Sequence, residues 1–448
     1  MTHASAQGVP LTIASAEAAA AFDHVLEGFL KYRLDTSARL KAALALDPKA
    51  PLLHAMKAAF ALLSFKAAHL PAARQALEAA AACPMTRHEA AHLAALSAWA
   101  GQESDRALAI WEQILAESPR DILAFRLHHF LAFWMGAAVR MRDAAERILP
   151  HWGAELPGYG SILACRAFAA EECGDYATAE HAGRAAVAMD PADLWAVHAV
   201  AHTLEMQGRR REGVEWIEGL KPHFAGTNNI RHHVLWHQAM YYLELGDHAA
   251  VLDLYDRGFR DLGSEVTQLQ PDLYIDCQNA ISMLWRLARQ GVDVGDRWVE
   301  LADKAEARIG DTLSAFTQPH WMMALCATGR FGAARAMLAA LREAAAGNGT
   351  HAAILHEAAL PVCEAILRHA EGDAAGAVAV MRPAIGVMHR MGGSHAQQDV
   401  LEQFFLAAAE AAGDEGAMRL ILERVAGRHP VPPERRVGYA AAARRIRH

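Results

Sequence analysis

The sequence is missing several features that would have assigned it quickly. Its six cysteines, Cys83, Cys165, Cys173, Cys277, Cys326 and Cys363, form no Cys-x-x-Cys pair. This excludes a disulfide framework and a cysteine zinc ribbon, and leaves thiols of the kind found in a reducing compartment. Aromatic residues make up only 7% of the chain, and no pair of segments shows the apolar/polar alternation of strands. No stretch of membrane-spanning length is both apolar and free of charge, and the start, Met1-Thr-His-Ala-Ser, has no basic leader followed by an apolar run. A cytoplasmic protein with no membrane partner is therefore expected. Neither a glycine-rich phosphate loop, a GxSxG elbow nor a kinase signature is present. Excess positive charge is also lacking: the net charge is −8 with both signs intermixed, so no nucleic-acid partner is expected.

What is present is alanine-rich, with 53% hydrophobic and 21% charged residues over 448 positions, enough to bury a large core. Runs several helical turns long lie between glycine or proline punctuation, which favours helices. Turn-like dipeptides recur at Gly101-Gln102, Gly174-Asp175, Gly208-Arg209, Gly246-Asp247, Gly329-Arg330, Gly372-Asp373 and Gly413-Asp414. The unit Gly174-Asp175-Tyr176-x-x-Ala179 is closed by Asp190-Pro191, and the next turn opens at Gly208. The Gly174-to-Gly208 interval is the length of a tetratricopeptide repeat, a helix-turn-helix unit, and the segment looks like one. The spacing then drifts: Gly208 to Gly246 is slightly longer, and Gly246 to Gly329 is long enough for two units with an insertion. The expected fold is all-α: an irregular tetratricopeptide-like solenoid, curled around a concave pocket. It occupies residues 1–430 as one domain, with 1–20 loosely ordered and 431–448 a basic tail frayed into solvent.

One stripe carries most of the chemistry. In Trp195-Ala-Val-His198-Ala-Val-Ala-His202-Thr-Leu-Glu205, four binding-prone side chains share a helix face at 3.6 residues per turn. His233-x-x-x-His237-x-x-x-Tyr241-x-x-Glu244 repeats the arrangement, and His237 to Glu244 matches the seven-residue interval from His198 to Glu205. In the repeat register, Trp195, His198, His202 and Glu205 fall at positions 2, 5, 9 and 12, which line the concave face of tetratricopeptide units. His92 falls at position 5 of an earlier unit. A one-residue shift places His237, Tyr241 and Glu244 at 5, 9 and 12 of a later one.

Four segments, in order, carry a closer resemblance: His198-Ala-Val-Ala-His202-x-x-Glu205-Met206, Trp236-His237-x-Ala-x-Tyr-x-x-Glu244-x-Gly246, Leu284-Trp285-Arg286-Leu287 and Gly392-Gly393-Ser394-His395-Ala396-Gln397-x-Asp399-Val400. They resemble the tetratricopeptide repeat protein 38 family over about Arg87 to Ala426. The resemblance implies an all-α repeat fold and adds His129 and His320 to the histidines of interest, but it supplies no reaction, cofactor or substrate. Asn279 stands where the family pattern has Asp, and Gln398 where Arg is common.

His88-Glu89-Ala90-Ala91-His92 is formally the HExxH of zinc peptidases, yet no third ligand follows at the required spacing. Chance alone gives about 1.4 His-x-x-x-His pairs at this histidine content, and three occur, so spacing is weak support for a metal. Two readings follow. In the first, His198, His202, Glu205 and His237 do acid-base work on a small molecule, with Trp195, Trp236, Tyr241, Glu244, His92, His129, His320 and Asp399 lining its pocket. A divalent metal on His198, His202 and Glu205 is a variant of that reading. In the second, the chain is a scaffold that binds a peptide or protein. Clamps of that class use Lys, Arg and Asn, whereas this face offers His, Trp and Glu, which favours a small guest.

Overall fold

A computed structural model describes residues 2–446, which are almost entirely helical. The chain divides into two compact units. Residues 1–200 with 220–231 form the first, and 201–219 with 232–448 the second.

The first unit is a series of helical hairpins: Ala16–Leu30 with Thr36–Leu46, Pro51–Leu62 with Leu70–Ala81, Arg87–Ala100 with Ser104–Glu117, Ile122–Trp134 with Ala138–Ile148, and Tyr159–Glu172 with Tyr176–Met189. The recurrent Gly-Asp dipeptide has a local cause. Gly174 adopts φ 82°, which ends one helix, and the Asp175 carboxylate accepts from Thr178 N (3.1 Å) to cap the next. Gly413 (φ 68°) and Asp414, accepting from Ala417 N (2.8 Å), repeat the device in the second unit. At Gly101-Gln102 it is Gln102, not the glycine, that takes the left-handed conformation (φ 64°).

In the second unit the same hairpins continue as Tyr274–Arg289 with Arg297–Ala307, Thr317–Ala327 with Phe331–Ala345, Leu360–Ala370 with Ala374–Met381, and His395–Ala412 with Glu415–Arg428. The long interval from Gly246 to Gly329 does contain inserted material, as expected. It is a π-helical turn, Tyr255–Phe259, and the short helix Glu265–Leu269. No helix among the described residues is long and apolar enough to cross a membrane.

The ends of the chain are more structured than their composition suggests. Thr2–Ala4 and Pro10–Thr12 pair antiparallel, with Thr2 opposite Thr12, the one sheet among the described residues. Thr12 N and Oγ1 both donate to Glu89 (2.7 Å each), and Ala14 N donates to Asp47 (2.7 Å). These bonds, with Leu11 buried at 2% exposure, hold a segment expected to be loose. Residues 431–446 of the tail are likewise not frayed, and 447–448 lie outside the described residues. Arg436 and Tyr439 are buried, their polar atoms on Asp399, and Val437 N donates to Glu244 (3.3 Å).

Candidate functional site

The Leu194–Met206 helix carries Trp195, His198, His202 and Glu205 at the expected one-turn spacing. The division into units falls between Val200 and Ala201. Its C-terminal half therefore belongs to the second unit, while Trp195 and His198 stand on the turns before it.

In the second unit, His202 meets two histidines of the Ile230–Leu245 helix. One nitrogen each of His202, His233 and His237 lies within 4.8 Å of the others, and all three rings are buried. The His202 and His237 rings are 4.3 Å apart at 62°, and those of His233 and His237 4.9 Å apart at 75°. Trp236 lies parallel to His233 at 5.5 Å and 8°, forming an apolar wall.

Two neighbours fix ring orientation. His237 Nδ1–H donates to Glu205 Oε2 at 2.6 Å, which leaves its Nε2 lone pair facing away from the carboxylate. Asn279, from the Tyr274–Arg289 helix, has Nδ2 2.9 Å from His233 Nδ1, and its own Oδ1 has no hydrogen-bond partner. As placed, the Asn279 amide Nδ2–H donates to His233 Nδ1; the opposite amide orientation would put Oδ1 there and reverse the direction of the bond. The asparagine at the position where an aspartate was expected thus holds the His233 ring from behind without a charge.

Burial dominates the electrostatics. It holds the His233 and His237 imidazoles well below their ordinary pKa, with the neighbouring histidines acting in the same direction. It also pushes the Glu205 carboxyl up to about 7 against the opposing pull of His202 and Arg286.

The remaining expected residues are placed as follows. Tyr241 directs its hydroxyl away, donating to Ala201 O at 2.6 Å, and its ring covers Gly213 so closely that a Cβ there would overlap it. Gly213→Ala is expected to destabilise the protein by about 1–3 kcal/mol, because the overlapped atom is a buried ring and not a flexible chain end. An unchanged melting temperature would show that the ring can move. Glu244 pairs with Arg210 (2.6 Å) and receives the tail at Val437. His320 donates Nδ1–H to Phe316 O (2.9 Å), and burial lowers it to about 4. Asp399 lies in a second buried cluster with Arg436 (2.5 Å), Arg286 (3.3 Å), Tyr439 (2.6 Å) and Gln403 (2.6 Å). Gln398, the other departure from the family pattern, bonds Gly392 O and Gly393 O and accepts from Arg428.

In the first unit, Trp195, His129 and His198 meet in an aromatic cluster around Phe168. His92 and His88 both donate Nε2–H to the same oxygen of Asp121, at 2.8 and 2.7 Å. Glu89 of the HExxH is occupied by Thr12 and by its own helix cap at Thr86. It is not poised to activate water.

No family model matches the chain. Among solved structures it is similar to human IFIT1, a dimer with m7Gppp-AAAA, at 13% identity over 98% of this chain and 96% of that one, with a TM-score of 0.43. A monomeric IFIT1 mutant with Gppp-AAAA gives 12% identity, 97% and 95% coverage and a TM-score of 0.41. The P58(IPK) TPR domain gives 12% identity, 89% and 99% coverage and a TM-score of 0.21. The helical-repeat architecture of this protein rests on its own series of hairpins.

Sequence reasoning named most of these side chains but not Arg286, Arg436 and Tyr439 as a group, nor Arg126. For Arg126 a signal existed: it is the one formally charged residue in the otherwise apolar and histidine-bearing run Ile122–Trp134.

Proposed function

We propose that the second unit holds a divalent transition metal on His202, His233 and His237, and that the metal binds a small polar molecule for acid-base or hydrolytic chemistry. The supporting observation is three buried imidazole nitrogens within 4.8 Å of one another, two of their rings oriented from behind by Glu205 and Asn279. Ligation at roughly 2.0–2.1 Å requires the nitrogens to close to about 3.3 Å apart, a movement of about 1 Å that side-chain rotation can supply. Imidazole sets of this kind suit zinc, copper, iron or nickel. A carboxylate on the far nitrogen of a ligating histidine is the usual outer-shell arrangement, so Glu205 is an orienting residue here. The Trp236 ring, stacked on His233, shields one side of the cluster. The segments that resemble the tetratricopeptide repeat protein 38 family include His202, Glu205, Trp236 and His237, which supports placing the function of that family at this cluster. The free thiols fit a cytoplasmic setting.

The test is metal analysis of the purified protein beside zinc titration of the chelator-treated protein. The parent is expected to take about one equivalent, His202→Ala and His237→Ala essentially none, and Glu205→Gln to bind about 10- to 100-fold more weakly. Helical content should persist in all three. A parent that binds no zinc at micromolar concentration, with both alanine variants merely less stable, would show the histidines to be packing and return the protein to a peptide- or protein-binding scaffold.

A further inference from the structure

The first unit contains a buried cation whose counter-ion is missing. Arg126 is 2% exposed. Its Nη2 donates to the Tyr32 hydroxyl at 2.5 Å, its Nη1 to Cys165 Sγ at 3.1 Å, and its Nε has no partner. Among the described residues no carboxylate lies within ion-pair distance of it. The acid whose charge reaches it, Asp193, spends one oxygen on Trp195 N (3.1 Å) and Ala196 N (3.2 Å), at the start of their helix. A guanidinium withdrawn from water with so few acceptors is costly. Aromatic faces offset part of that cost: the guanidinium carbon lies 4.6 Å from the Trp195 ring centre, 5.1 Å from Tyr32 and 5.7 Å from Phe130.

Two further observations point to a guest. His129 is fully buried edge-on to the same Trp195 ring (6.0 Å, 87°), and neither of its nitrogens has a partner. Tyr32 has φ 53°, a conformation a non-glycine residue adopts only when its surroundings enforce it. Its backbone is pinned by Asn228 N donating to Tyr32 O (2.7 Å), and the residue as a whole is half-buried.

We propose that Arg126 anchors a site for a small organic carboxylate, with the Tyr32 hydroxyl standing where a carboxylate oxygen binds. The planar guanidinium offers a fork that matches a planar carboxylate, and Trp195, Phe130 and Phe168 provide walls for an apolar or aromatic body. Tyr32 swings out to admit the guest, and a buried Arg126 with an open Nε then gains the acceptor it lacks. His129 supplies a neutral donor beside the same ring. This site belongs to the first unit and does not depend on the metal cluster.

Isothermal titration with benzoate, on the full chain and with zinc-loaded and chelated protein in parallel, tests this. Saturable binding is expected in both forms. Arg126→Gln should weaken it at least about tenfold, since a charge-assisted pair is lost, and Tyr32→Phe should strengthen it about fivefold by removing the competing hydroxyl. Inorganic phosphate, tetrahedral and without an apolar body, should bind about tenfold more weakly than benzoate. Absence of saturable benzoate binding at millimolar concentration overturns the proposal. So does a Tyr32→Phe variant that folds but binds less tightly, because a purely structural Tyr32–Arg126 bond predicts a lower melting temperature and no gain in binding.

Discussion

Asp399→Ala is expected to destabilise the protein by about 3–5 kcal/mol, the cost of leaving buried charges without their counter-ion. The carboxylate is 6% exposed and receives Arg436 on one oxygen and Arg286 on the other, with Tyr439 and Gln403 filling the remaining sites. Burial alone would raise its pKa, yet the two guanidinium groups hold it far below the ordinary carboxylate range. Removing it strands two arginines, one 1% and one 10% exposed at the side chain. It also releases the tail, whose anchors are Arg436 and Tyr439. Urea denaturation followed by circular dichroism measures the loss, and limited proteolysis of the Arg428–Arg447 region should report an accessible tail. Because this carboxylate is depressed, its contribution is present above about pH 4 and lost as pH falls towards its folded pKa. If Asp399→Ala shifts stability by less than about 1 kcal/mol, the cluster is not the anchor described.

The second large effect is expected at Asp121. This side chain caps the Ile122–Trp134 helix through Ala124 N (2.8 Å) and takes both His88 and His92 on its other oxygen. Burial opposes its charge, but the neighbouring His92 and His88 outweigh that and hold the carboxyl well below its usual value. His88 is raised, chiefly by its hydrogen bond to Asp121. The signs define a window. The depressed carboxylate stabilises above about pH 4 and loses its effect as pH falls towards its folded pKa. The raised imidazole stabilises below about pH 6.5 and loses its effect as pH rises through its folded pKa. The cluster should therefore contribute most between these limits. Asp121→Ala is expected to cost about 1 kcal/mol for the cap and a further 1–3 kcal/mol for each stranded hydrogen-bond partner. The parent-minus-variant difference in melting temperature, taken from pH 3 to 9, should peak between about 4 and 6.5. A flat difference would mean that neither ionisation is linked to folding.

Both clusters show where sequence reasoning stops. The HExxH pattern correctly placed His88 and His92 one turn apart. What the pattern could not show is that Asp121, 29 residues after His92, is their acceptor, or that Glu89 is committed to the N-terminal hairpin. The basic tail reads as solvated because Arg435, Arg436, Arg444, Arg445 and Arg447 lie close together. Yet Arg436 is buried, because Asp399 and the Tyr439 ring lie within its reach.

The sequence by itself determined the local structure. Gly-Asp dipeptides specify a left-handed helix end followed by an aspartate cap, so the hairpins and their turns follow from residues three or four apart. The same short range places His202 one turn before Glu205 and His233 one turn before His237. Only the tertiary structure decided which faces meet. Glu205 bonds to His237, Asn279 reaches His233 from 46 residues away, and Tyr241 turns to Ala201. Helical periodicity fixes direction about one helix axis, whereas these pairings depend on how successive hairpins rotate and shift against one another. Where the repeat spacing drifts, as it does after Gly208 and again after Gly246, that rotation is set by the packing of many small side chains at once and not by any single segment.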